Sequence, residues 1–182
     1  MAKIALEAAA FLLALVVAGI YYCQLDTMQH AMKIDQRAWV GFGQIEKVTL
    51  EDGKPFVLYI PVKNLGKTPA KSAAVGITPA VGGLKLDRPN AEESVEHEMG
   101  APVALLLPNE TEELHIDIRN PPEVAKIKSG EMTIFIFGKV IYADVFGFQH
   151  WTRYCYQSLP DKTEGFKFRP CDFYAGIDPE ND

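Results

Sequence analysis

No Gly-x-Ser-x-Gly elbow, no phosphate-cradling glycine loop and no His-Glu-x-x-His pair occurs in this chain. The local signatures of serine hydrolases, nucleotide-binding loops and zinc proteases are therefore missing. Histidine is scarce, with His30, His97, His115 and His150 scattered along the chain. Cysteine is scarcer: Cys23, Cys155 and Cys171, with no Cys-x-x-Cys pair. A zinc site would have to combine His150 with Cys155 and Cys171, which lack a fourth ligand and the usual spacing. Positive charge is short as well, 18 Lys and Arg against 24 Asp and Glu, a formal net charge of -6. Residues 1–37 carry Lys3, Lys33 and Arg37 against Glu7, Asp26 and Asp35, so the remainder holds 15 basic and 21 acidic residues, still -6. No basic face is available for a phosphate backbone, so nucleic acid is not an expected partner. These absences lead to the expectation of no cofactor, no bound metal and no enzymatic activity.

What is present is apolar. The 182 residues are 48% hydrophobic and 23% charged, a composition that folds. The length suits one compact domain with an appendage. The appendage is the amino terminus, where Ala8 to Cys23 contains no charged or strongly polar residue. With Ile4 to Leu6 the stretch approaches the roughly 20 residues that cross a bilayer as a helix. Tyr21 and Tyr22 stand where an interfacial aromatic belt is expected. A cleaved signal peptide is the competing reading. Lys3 supplies a minimal positive start, yet no Ala-x-Ala site follows, and Ile20 to Cys23 is too bulky for cleavage; Val17-Ala18-Gly19 is a weak alternative. Residues 1–25 thus read as an uncleaved signal anchor held in membrane lipid. Lys3 and the amino terminus nearly balance Lys33 and Arg37, so charge alone does not orient it. A short tail ahead of a large domain favours the domain outside the cytoplasm. Ala10, Ala14 and Ala18 recur every four residues and form a smooth helix face suited to self-association, which makes a homo-oligomer a candidate state. Residues 26–37 read as a helical stalk with Leu25, Met28 and Met32 on one side.

From Ala38 the period changes to alternation. Ala38–Leu50 and Pro55–Asn64 read as strands around an Glu-Asp-Gly-Lys turn. Lys63–Ala70 reads as a corner that turns between adjacent strands. Asn64 and Gly66 are candidates for left-handed backbone there, Pro69 removes a donor, and Thr68 completes the turn. The acidic run at Glu92, Glu93, Glu96 and Glu98 reads as a solvated face without calcium-loop spacing. Further strands are expected at 110–118, 131–147 and 148–157, the last two as a hairpin, with a helical turn after Pro122 ended by Gly130. An antiparallel β-sandwich over 38–175 follows, with 176–182 as a flexible tail. Cys155 and Cys171 enclose 15 residues. In an oxidising compartment they would form a disulfide contributing about 3 kcal/mol; in the cytoplasm they would be two buried thiols.

Four stretches carry a resemblance: Asp35–Phe42, Lys63–Ala70, Gly138–Gly147 and His150–Cys155 with the later Cys171. The corner resembles that of bacterial immunoglobulin-like domains of the cell-adhesion-related and NEW3-like kind. Most of the chain is similar to a family of bacterial single-pass membrane proteins carrying such a domain. The resemblance implies an immunoglobulin-like β-sandwich in the periplasm, anchored in the inner membrane, and no reaction. The functional expectation is an interaction or structural module with a protein partner in the cell envelope. A pilin-like assembly subunit and a small-ligand receptor or enzyme are the alternatives.

Overall fold

The computed structural model describes residues 2–46, 51, 54–83, 102–118, 124–161 and 165–178. The chain divides into two units, Met1–Arg37 and Ala38–Asp182.

The first unit is one helix, α1 (Ala2–Gln36). It contains no proline, and its most apolar stretch has a mean hydropathy of 2.3. At 1.5 Å per residue its 35 residues run for about 50 Å, longer than a hydrocarbon core of about 30 Å. It is the one helix among the described residues long and apolar enough to cross a membrane. Anchor and stalk are thus a single element, because no residue between Leu25 and Gln36 breaks the backbone hydrogen bonding.

The second unit is mainly β and antiparallel. Its elements in chain order are β1 (Val40–Phe42), β2 (Phe56–Asn64), β3 (Ala70–Gly82), β4 (Pro102–Leu106), β5 (Thr111–Ile118), α2 (Val124–Ser129), β6 (Thr133–Ala143), β7 (Gln149–Asp161), β8 (Gly165–Pro170) and β9 (Gly176–Ile177). One sheet has the order β1-β2-β5. The other has the order β4-β3-β6-β7-β8, with β9 also paired to β7. Alternation sets the faces. Phe56, Leu58, Ile60, Val62 and Asn64 of β2 are buried, while Val57 and Tyr59 between them are exposed. Phe56, Leu58 and Ile60 meet Ile134, Ile136, Tyr154 and Tyr156 of the larger sheet in one core. A second cluster joins Val40 and Val62 to Ala70, Val75, Val140 and Tyr142.

The first half of β6 is buried on both faces, which explains the apolar run Ile134–Phe137. Ile134, Ile136 and Val140 point into the shared core, and Phe135 and Phe137 point the other way. There they pack with Cys155, Cys171, Phe173 and Tyr174. Gly138 of β6 faces Tyr154 of β7 across the ladder. A Cβ at this glycine would lie 1.7 Å from the Tyr154 ring, so only glycine leaves room for it. The ring then stacks on Phe42 at 3.6 Å between centroids.

Several expectations need correction. The strand expected over 38–50 is restricted to Val40–Phe42 among the described residues, and residues 43–46 run without strand pairing. The corner at 63–70 does not turn between neighbours in one sheet: it carries the chain from β2 in one sheet to β3 in the other. Neither Asn64 nor Gly66 has a positive φ. The left-handed residue is Ser72, at φ 50°, where β3 shifts register between Lys71 and Ala74. The flexible tail expected from 176 is also overturned as far as Asp178. Gly176 and Ile177 pair with Arg153 and Thr152, and Asp178 is buried. The span enclosed by the two cysteines holds strand β8, paired along the end of β7. The short helix and the hairpin do form: α2 ends at Gly130, which takes φ 80°, and β6 pairs with β7. The acidic run Glu92, Glu93, Glu96 and Glu98 lies outside the described residues.

Candidate functional site at one end of the β domain

Two buried polar groups organise one end of the domain. The first is Asn64, the last residue of β2, which is fully buried. Its Oδ1 accepts from the amides of Gly66 at 2.9 Å and Trp39 at 3.3 Å. Its Nδ2 donates to the carbonyls of Thr68 at 2.8 Å and Leu106 at 3.0 Å. A carboxamide has two donors and a two-lone-pair oxygen, so this side chain is saturated. The Asn64 backbone adds two bonds: its amide donates to Glu110, and its carbonyl accepts from Asn109. Leu65 donates to the Trp39 carbonyl at 2.6 Å. Asn64 thus fastens the start of β1, the 65–69 corner, the end of β4 and the 107–110 turn. Thr68 and Pro69 are half-buried and Gly66 is buried. The corner is a structural joint held by the Asn64 side chain.

The second group is His150 on β7. Its Nδ1 lies 2.7 Å from Asp178 Oδ2 and its Nε2 lies 3.1 Å from Asp144 Oδ2. All three residues are buried. The imidazole thus lies between two carboxyl groups, one at each ring nitrogen. Asp144 Oδ1 accepts from the amides of Phe146 and Phe148, both at 2.9 Å. Asp178 donates its amide to the Trp151 carbonyl at 3.0 Å. The histidine therefore clasps the β6–β7 turn on one side and the β9 segment on the other. Both ring nitrogens face carboxyl oxygens and the ring is buried, so the histidine holds these elements together.

The zinc combination does not assemble. His150 is engaged by carboxylates, and Cys155 and Cys171 are joined in a disulfide with a Cα–Cα distance of 5.3 Å. Among the described residues no group of three or more His, Cys, Asp or Glu could hold a metal ion. The bridge links β7 to the end of β8, where Cys171 also donates its amide to the Cys155 carbonyl at 2.9 Å. Cys23 is the free cysteine, exposed on α1. Ala10, Ala14 and Ala18 are exposed on the same helix, at the spacing expected from sequence.

A further surface lies on the outer face of the three-stranded sheet. Tyr59 is opposite His115 and Pro61 is opposite Glu113. A shallow cavity of about 290 Å³ is lined by Gln44, Glu46, Tyr59, Pro61 and Glu113. It is at the small end of ligand pockets.

Sequence reasoning missed the Asp144–His150–Asp178 cluster as a unit. Asp144 and His150 flank a Phe-Gly turn, which is a usable local signal. Asp178 is 28 positions from His150 with no local mark of its burial. Comparison of the chain with protein-family models, curated proteins and solved structures finds no match.

Proposed function

We propose that this chain is a single-pass membrane protein of the bacterial inner membrane, whose immunoglobulin-like domain lies in the periplasm and acts as an interaction module. The observation that carries the reading is the Cys155–Cys171 disulfide in a domain that follows a membrane-length helix. Disulfides persist on the oxidising side of a membrane, so bridge and anchor support the same orientation. The two-sheet antiparallel core supports the resemblance to immunoglobulin-like domains. The saturated polar groups of Asn64 and His150 support a scaffold role. Val57, Tyr59 and Pro61, beside Glu46 and Glu113, offer an amphipathic face to a protein partner. The reading has no catalytic step.

The test is thiol accessibility in intact cells and spheroplasts carrying the Cys23→Ala form. Cys155 and Cys171 should resist alkylation until reduced, and protease added outside spheroplasts should digest the domain. Free thiols in a domain protected inside sealed spheroplasts would overturn the orientation.

A further inference from the structure

Strand register gathers several loops at one end of the β domain. Val40 pairs with Asn64, Ala70 with Leu106, Lys71 with both Leu105 and Ala143, and Ala143 with Gln149. The 65–69 corner, the 107–110 turn and the 144–148 turn therefore sit at the end where the chain comes in at Ala38. Each displays large apolar side chains to solvent. Leu65 is 65% exposed, Leu107 47%, Phe146 39% and Phe148 49%, and Leu105 beside them is 49% exposed.

The two buried hubs bear directly on these side chains. Asn64 holds the corner that carries Leu65 and, through its backbone, the turn that carries Leu107. Asp144, backed by His150, caps the amides of Phe146 and Phe148 themselves. A domain that spends its most buried polar network on loops whose apolar tips face outward is presenting those tips.

We infer that this end of the domain is a bilayer-contact surface, with Leu65, Leu107, Phe146 and Phe148 entering the lipid interface. The inference rests on the membrane-anchor reading. The tether argues for lipid as the occupant. Helix α1 continues past Leu25 to Gln36, so the Ala38 end can be no more than about 20 Å of helix from the hydrocarbon boundary. The headgroup layer covers several Å of that distance. The form of the surface argues the same way. The apolar tips stand on three loops, and a fluid interface accepts them without a shape match. Exposed Lys71 stands beside Leu105, placed to meet lipid phosphate. The domain is otherwise acidic, so apolar insertion, not charge, holds the contact.

The experiment uses the full chain with Cys23→Ala in phosphatidylcholine vesicles. One nitroxide is placed at Leu107→Cys or Phe146→Cys, with Asp117→Cys at the other end of β5 as control. Resistance of the Cys155–Cys171 bridge to alkylation reports folding, and two independent sites cover the failure of one variant. At both sites, oxygen collisions should rise and nickel-chelate collisions should fall relative to Asp117→Cys. Labels as water-accessible as the control, in a chain that floats with the vesicles, overturn this inference and leave the anchor standing. Labels shielded from both oxygen and chelate place a protein there, a second copy or another chain, and also overturn it. A chain that does not float overturns the anchor and this inference with it.

Discussion

Asn64 shows how much of this domain depends on one amide. Asn64→Asp keeps the oxygen that accepts from Gly66 and Trp39. It also turns a second oxygen toward the carbonyls of Thr68 and Leu106, where two donated bonds existed. A buried charge facing two acceptors is worse than a lost bond. The expected loss is about 3 kcal/mol or more, read as a lower urea midpoint with unchanged slope. Tyr154 is the opposite case. Its hydroxyl is buried with no hydrogen-bond partner among the described residues. Tyr154→Phe should therefore be neutral, or stabilising by about 1 kcal/mol. Burial pushes the Tyr154 phenol well above its ordinary range, and the neighbouring Tyr156 and Tyr174 add to the rise. The folded state thus keeps the proton that the unfolded chain releases near pH 10. The stability from the neutral phenol is complete below about pH 10 and is lost as pH rises from there toward the folded-state pKa. Unfolding followed from pH 8 upward should show a shallower alkaline decline in Tyr154→Phe. Burial also raises Tyr156, so some decline should remain.

At the scale of elements, β9 tests what the His150 cluster does. Two residues of pairing with β7 make a weak strand, and the Asp178 side chain is its clamp. Asp178→Ala should release this segment while leaving the β6–β7 ladder intact. Amide exchange at Asp178, whose N–H bonds the Trp151 carbonyl, should rise strongly, and exchange in β6 should stay slow. The global cost should be about 1–3 kcal/mol, because His150 Nδ1 loses its buried partner. The stronger strands were legible beforehand for a physical reason. In β2, alternation records which side of the sheet is buried, and in β6 the apolar run Ile134–Phe137 records burial on both sides. Neither pattern records which strand lies alongside. The corner at 63–70 was legible as a break in alternation, but not as a change of sheet. Ser72 was not legible as the left-handed residue, because serine carries no such preference and the bulge is imposed by pairing on both sides of β3. The β9 segment was missed because two paired residues make too short a run to display a period.

For the molecule as a whole, the sequence by itself determined the apolar helix, the change from helical to alternating period at Ala38, the mainly antiparallel β character and the two cysteines available for pairing. These properties are local: each depends on the spacing of residue types over a turn or a strand. Tertiary structure alone decided the rest. It distributed the strands between two sheets. It brought Asp144 and Asp178 to opposite nitrogens of His150. It also gathered Leu65, Leu107, Phe146 and Phe148 at the end where the chain enters. Those contacts join positions far apart along the chain, and their partners are chosen by packing and by the satisfaction of buried polar groups, which no local spacing encodes.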